Sequence, residues 1–252
     1  RMVTNGNEQD PELYPDKSSP TVAVHLILSC LTVAAYNNSI KMAKIDVKGA
    51  FIQTEMEGPP VYIKCDRRLT NLIVEVLPGL KKYVQKDGIL YCRLLKALYG
   101  CVQASRLWFN KLTRVLRREG YEHSPADPCV MRWIVGDNVF LLLIYVDDIL
   151  ILADDDEINR IEQFFLREFT WITMERNNKL SYLGMLVTLD QGEATIDMTY
   201  FVDKLLESYK NLVERPTPSN KSIFQIDEDA AALPEVDRKV FHSAVAKLLY
   251  LS

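Results

Sequence analysis

Residues 140–153 read FLLLIYVDDILILA, two strongly apolar runs with Asp147 and Asp148 side by side between them. Unpaired charges in such surroundings cost on the order of several kcal/mol, so this placement restricts what the segment can become. If NVFLLLIY and ILILA pair as antiparallel strands, Val146 to Asp148 form the tight turn between them. The two aspartates then emerge at the end of a rigid, buried hairpin and project into a cleft.

Paired acids held rigidly by apolar strands suit a divalent cation, because hard oxygen ligands bind Mg²⁺ and the ion offsets the repulsion between carboxylates. The alternative is an ordinary Asp-Asp turn, and a second strand ending in an acid argues against it. KMAKIDVKGAF supplies that strand, with Asp46 near its end. Two metals about 4 Å apart, bridged by carboxylates from neighbouring strands, activate an attacking hydroxyl and stabilise a leaving pyrophosphate. In that arrangement Asp46 and Asp147 are the shared ligands and Asp148 helps hold the catalytic metal. The triplet Asp154, Asp155 and Asp156 lies a strand's length away, where a helix wants its N-cap, and reads as capping.

With 252 residues, 48% hydrophobic and 25% charged, the chain has the composition of a soluble globular protein. The net charge of −4 gives no whole-chain sign of a nucleic-acid partner. The distribution does: from Cys92 to Arg118 there are seven basic residues and no Asp or Glu, a local positive surface fit for an anion-binding groove. The five cysteines are widely spaced and never form C-x-x-C, which favours a reducing compartment over a disulfide framework or zinc site. No secretory signal opens the chain, and VAVHLILSCLTVAA is too short for the ~20 apolar residues a bilayer needs. The chain is therefore expected to be neither secreted nor membrane-bound. It begins with Arg and stops inside an apolar helical pattern, FHSAVAKLLYLS, as a segment of a larger polypeptide would.

Along the chain, a polar lead over residues 1 to 20 precedes a helix from Pro20 to about Tyr36, then a strand in IKMAKIDV. VYIKC is a strand, and a Lys-Asp-Gly turn in VQKDGILYCRLL leads to another. From Gln103 to Glu119 the period becomes helical. Trp108, Phe109, Leu112, Val115 and Leu116 form an apolar stripe, and Arg106, Asn110, Arg114 and Arg118 recur opposite it. CVMRWIV, NVFLLLIYV and ILILA read as three strands, the first two joined at Gly136-Asp137. DDDEINRIEQFFLREF is a capped helix, and KLSYLGMLVTL and ATIDMT are a hairpin joined at Gln191-Gly192. A helix near 199 to 211, a polar connector past Glu214 and a last helix from about Glu235 complete an α+β chain with an antiparallel sheet.

YVDDILI resembles the Tyr-x-Asp-Asp box of reverse transcriptases, and the surroundings are similar to the copia-type (Pseudoviridae) retrotransposon family. In family order, RMVTNGNEQ is similar to its opening Arg-Leu-Val-Ala-x-Gly segment, KIDVKGAF to Met-Asp-Val-Lys-Thr-Ala-Phe, and LLKALYGCVQASRLWF to Leu-Lys-Lys-Ala-Leu-Tyr-Gly-Leu-Lys-Gln-Ala-Pro-Arg-Ala-Trp. ADPCV, LSYLGMLV and FHSAVAKLLYLS resemble its Ala-Asp-Pro-Ser-Leu, Tyr-Phe-Leu-Gly-Ile-Glu and Tyr-Arg-x-Ala-Ile-Gly-Ser-Leu-Leu-Tyr-Leu segments.

The resemblance implies a right-hand polymerase fold: fingers-like parts at 1–40 and about 52–110, palm at 41–51 and about 111–190, and from about 191 to 252 the end of the primer grip and the start of a thumb or connection. It implies RNA-directed DNA synthesis on an RNA or DNA template with a primer, using dNTPs and two Mg²⁺ ions, with Mn²⁺ as a substitute. Asp46, Asp147 and Asp148 are the implied catalytic residues, and they hold the metals together with Val47. Phe51 matches the aromatic steric gate that rejects a ribose 2′-OH; Gln103, Arg1 and Tyr145 are implied at the nucleotide. Tyr182, Leu183 and Gly184 match the primer grip, and Arg106, Lys111, Arg114 and Arg118 are the implied phosphate contacts to the duplex. The remainder of a Gag-Pol polyprotein, with integrase and ribonuclease H, is the implied partner, and cytoplasmic virus-like particles the implied location. Ser105, Val102 and Gly49 depart from the family's Pro, Lys and Thr, and bear on nucleotide affinity rather than on the three acids. A decayed or domesticated copy that binds nucleic acid without polymerising, and a different two-metal palm enzyme such as a nucleotide cyclase, are the alternatives. Retention of three mutually repelling acids speaks against the first. Phe51, Gln103 and the Tyr-Leu-Gly hairpin speak against the second.

Overall fold

The computed structural model describes residues 3–14, 18–190, 192–209, 213, 214, 216, 225 and 230–251. The chain forms two units, Arg1–Ile196 and Asp197–Ser252.

In the first unit, α1 (Val24–Ala35) leads to β1 (Lys41–Val47); β2 (Tyr62–Cys65), α2 (Arg67–Val76) and β3 (Leu90–Arg93) follow, then α3 (Ala104–Arg118). Next come β4 (Glu122–His123), β5 (Val130–Val135), β6 (Asn138–Tyr145), β7 (Asp148–Ala153), α4 (Asp155–Glu168) and β8 (Ile172–Arg176). β9 (Lys179–Tyr182), β10 (Met185–Asp190) and β11 (Glu193–Asp197) close the order. The main sheet runs β4-β5-β6-β7-β1-β8 with every ladder antiparallel. A three-stranded sheet, β11-β10-β9, and a two-stranded one, β2-β3, are separate from it. The α+β class and the antiparallel sheet expected from the sequence are what is observed.

The core follows from the strand pattern. Ala43, Ile45 and Val47 on β1, Leu142 and Ile144 on β6, and Ile149 and Ile151 on β7 are at most 1% exposed. Their alternation leaves Lys44 and Asp46 on the opposite face of β1, in register with Leu150 and Asp148 of β7. Helix α3 buries Trp108, Leu112 and Leu116, and α4 buries Ile158, Ile161 and Phe165, each from one apolar stripe.

Several features depart from the sequence expectation, among them KLSYLGMLVTL, expected as one strand of a hairpin, which breaks at Leu183-Gly184 into the paired strands β9 and β10. Helix α1 starts at Val24 rather than Pro20, because the Val22 N–H bonds the Ile144 carbonyl (3.3 Å) and the Ala23 N–H bonds Asp127 Oδ2 (3.3 Å), which keeps this stretch extended along β6. Helix α2 was not anticipated; the Asp66 side chain caps it by accepting from the Leu69 N–H at 2.8 Å. Strand β8 was not anticipated either. It pairs with the free edge of β1, so that β1 lies inside the sheet. In the second unit, α5 spans Thr199–Glu207, ending short of the expected 211; positions 210 and 211 lie outside the described residues. α6 (Glu235–Leu251) starts where the sequence placed it, and Phe201 packs on Tyr250 with ring centroids 4.9 Å apart.

Candidate active site

The carboxylates gather where β1, β6 and β7 end. β6 and β7 are joined by Val146 and Asp147, with Tyr145 opposite Asp148 in register. Asp148 faces Asp46 across the β7–β1 ladder, and Asp46 faces Thr173 on β8. One row across four strands therefore reads Tyr145, Asp148, Asp46, Thr173. The hairpin and the second acidic strand expected from the sequence are both present, as nearest neighbours.

The turn is held from two sides. Val146 has φ 57°, in the left-handed region that a β-branched residue rarely enters. The Trp108 Nε1–H donates to the Val146 carbonyl at 2.7 Å, and the Val47 N–H donates to the Asp147 carbonyl at 3.2 Å. The Tyr99 hydroxyl lies 3.3 Å from Asp147 Oδ2 and donates to it. Gly49, just beyond β1, has φ +64°, so the glycine that replaces the family's Thr occupies a backbone conformation suited to glycine.

Asp148 is half-buried, and its carboxyl is pushed above the usual range by burial first, then by Asp147; Lys44 opposes this and Asp46 adds to it. Lys44 is engaged elsewhere, donating to the Ser181 carbonyl (2.8 Å) and lying 3.8 Å from Glu175. Among the described residues, no three His, Cys, Asp or Glu side chains converge as a ready-made metal cage. Asp46 and Asp148 nonetheless face each other with Asp147 next to them, all hard oxygen donors that repel one another. An all-carboxylate donor set of this kind suits a hard divalent cation.

The other sequence candidates differ in where they lie. Phe51 comes to the site: it is 8% exposed and packs on Tyr99 with ring centroids 4.4 Å apart, and Tyr99 in turn reaches Asp147. Tyr145 is exposed beside Asp148. Gln103 is buried, its carbonyl accepting from Gln9 Nε2 (3.2 Å) and its amide 3.6 Å from Met56 Sδ. Tyr182 is also buried, and its hydroxyl donates to the Leu143 carbonyl at 3.0 Å. Burial first and the Asp148 charge second push that phenol's pKa up, and Tyr182 closes β9 ahead of the β9–β10 turn. Leu183 (φ 50°) and Gly184 (φ 80°) form this two-residue turn. Arg1 lies outside the described residues.

The basic helix is less uniformly solvated than its period suggests. Arg114 is exposed, whereas Arg118 is paired with Glu168 at 2.9 Å and Arg106 is half-buried. Lys111 turns inward to the Gln53 carbonyl and lies over the Phe169 ring (5.5 Å); burial and then Lys96 pull its pKa down. Tyr99, Trp108 and Thr173 were not singled out as site residues by the sequence, which assigned Trp108 only a place in the apolar stripe of α3. An aromatic residue in a helical stripe reads as core, and only the tertiary contacts separate these side chains from others of their kind.

Residues 1–218 match the family described as reverse transcriptase (RNA-dependent DNA polymerase). The chain is 34% identical over 157 residues to the retrovirus-related Pol polyprotein from transposon RE2 of Arabidopsis thaliana, covering 62% of this chain and 10% of that protein. To the corresponding polyprotein from transposon TNT 1-94 of Nicotiana tabacum it is 30% identical over 157 residues, covering 62% and 11%. The chain thus spans about a tenth of the length of these curated relatives. Among solved structures, a foamy viral protease-reverse transcriptase in complex with double-stranded DNA aligns with a TM-score of 0.40 and 14% identity, over 85% of this chain and 30% of that one.

Proposed function

Because the chain belongs to the reverse transcriptase (RNA-dependent DNA polymerase) family, as its copia-type motifs led one to expect, we propose that it is the polymerase domain of a transposon Pol polyprotein. The reaction is transfer of a nucleotide from a dNTP to a primer 3′-OH, templated by RNA or DNA. One observation carries this reading: Asp46 and Asp148 face each other across the β1–β7 ladder, and the adjoining β6–β7 turn presents Asp147.

Each residue has a physical task. Asp46, Asp147 and Asp148 would hold two Mg²⁺ ions, with the backbone at Val47 next to Asp46, and Mn²⁺ would substitute. When bound, the ions supply charge neutralisation at the attacking and leaving oxygens. The apolar strands around the acids keep them from spreading apart, so the cation-binding arrangement is formed before substrate arrives. Phe51, braced by Tyr99, supports the reading of a wall under the incoming sugar, and Tyr145 stands opposite Asp148 in the acidic row. Arg1 and Gln103 stay assigned to the nucleotide side, Gln103 by shaping the loop that Gln9 and Met56 hold. Arg106, Lys111, Arg114 and Arg118 on α3, and the Tyr182-Leu183-Gly184 turn, are assigned to the primer-template, the buried Tyr182 acting by setting the turn. The palm comprises 41–51 and about 111–190, flanked by fingers at 1–40 and about 52–110 and by the beginning of a thumb after about 191. The partner is the rest of the polyprotein, with integrase and ribonuclease H, and the site of action is the cytoplasmic particle. No helix among the described residues is long and apolar enough to cross a membrane.

Primer extension on poly(rA)·oligo(dT) with Mg²⁺ or Mn²⁺ tests the reading against Asp147→Asn from the same preparation. Extension by the wild type, lost at least 100-fold in the variant, is expected. Duplex binding in a gel shift without extension by either protein would replace the polymerase with a nucleic-acid-binding descendant.

A further inference from the structure

The turn that carries Asp147 is made from an unfavourable residue. At φ 57° a valine pays a steric cost that glycine or asparagine would not, and such conformations persist only where the surroundings over-determine them. Among the described contacts, two hydrogen bonds do this. The Val47 N–H holds the Asp147 carbonyl from β1, and the indole N–H of Trp108 holds the Val146 carbonyl from α3, the shorter of the two at 2.7 Å. Trp108 is itself fixed: it is 1% exposed, and its ring packs edge-on against Phe169 with centroids 5.3 Å apart.

We propose that Trp108 is a positioning residue for the reaction, whose indole N–H clamps the left-handed Val146 turn and so holds Asp147 in place beside Asp46 and Asp148. The indole does not touch substrate or the acids. It acts through the backbone, by preventing Val146 from relaxing to a negative φ that would rotate the Asp147 side chain away from its neighbours. The activity part of this inference rests on the polymerase reading above; the structural part does not.

Trp108→Phe keeps a large ring against Phe169 and removes the N–H, and Val146→Gly in that background supplies a residue for which the positive φ costs little. The first readout is amide hydrogen exchange at Val47, whose N–H is held by the turn, with the Leu142 amide in the sheet as control. Loss of one buried hydrogen bond should speed Val47 exchange about tenfold in Trp108→Phe, and the added glycine should bring it back to within about threefold. Leu142 should not change. The second readout is steady-state primer extension: kcat should fall about tenfold or more, with KM for primer-template little moved, and the glycine should restore it. Unchanged Val47 exchange in Trp108→Phe overturns the inference. So does faster exchange that Val146→Gly fails to restore, since that pattern belongs to general loss of packing. If the wild type extends no primer, the polymerase reading falls, and the exchange data decide on the clamp by themselves.

Discussion

Removing one of the three acids should make the metal-free protein more stable while destroying its response to metal. Asp148→Asn keeps the side-chain shape and deletes the charge that faces Asp46 across the β7–β1 ladder. Directly opposed residues have Cβ atoms about 4.5–5.5 Å apart, where like charges are destabilising and favourable pairs are worth roughly 0.2–1 kcal/mol. Coulomb's law for carboxylates about 6 Å apart gives about 0.7 kcal/mol in water and about 3 kcal/mol at an effective dielectric constant of about 20. A gain of about 1 kcal/mol is therefore expected for the variant in EDTA at pH 7. The sign with pH follows from the raised pKa of Asp148, caused by burial first and Asp147 second. Protonated Asp148 is favoured in the folded state. Near pH 4 and below, the two proteins should differ little; the wild-type deficit opens as pH rises through the raised value and is complete above it. Saturating Mg²⁺ should reverse the order, since a ligand at 100 times its Kd adds about 2.7 kcal/mol to the protein that binds it. Urea unfolding followed by tryptophan fluorescence reads this unit alone, because Trp108, Trp133 and Trp171 all lie within Arg1–Ile196. Equal stability in EDTA at pH 7, or equal stabilisation of both proteins by Mg²⁺, would refute the reasoning.

Other substitutions separate structural acids and aromatics from functional ones. Asp154 accepts from the Glu157 N–H at 2.8 Å, so Asp154→Ala should cost about 1 kcal/mol in urea unfolding and leave primer extension unchanged. Glu157 is 3% exposed, hydrogen-bonded by Tyr121 and paired with Arg160 at 2.7 Å, while Arg160 also bridges to Glu119. Arg160→Ala strands that buried carboxylate and should cost about 2–3 kcal/mol, after allowance for the partial exposure of the arginine; a thermal melt measures it. Phe51→Ala opens the wall braced by Tyr99 and should raise incorporation of rNTPs relative to dNTPs at least tenfold, a ratio of kcat/KM values from single-nucleotide extension.

The amino-acid sequence by itself determined the parts whose physics is local. The apolar runs around Asp147 and Asp148 can bury themselves only as a hairpin, and the acidic start of DDDEINRIEQFF caps a helix through a bond spanning three residues. Asp46 was legible too, because strand alternation and family motif agreed on its place. Tertiary structure decided what depends on residues far apart in the chain. The pairing of β8 with β1 is invisible in a five-residue segment whose partner lies some 130 positions earlier. The same holds for the burial of Gln103 under Gln9, the inward turn of Lys111 and the sealing of Tyr182 against Leu143. Trp108 is the plainest case. Its place in the helical stripe identifies a core residue, but only the approach of α3 to the end of β6 puts its single hydrogen-bond donor on the one carbonyl that holds the turn. Periodicity records which side of an element is apolar; which polar atom on that side meets which backbone group is set by how the elements pack.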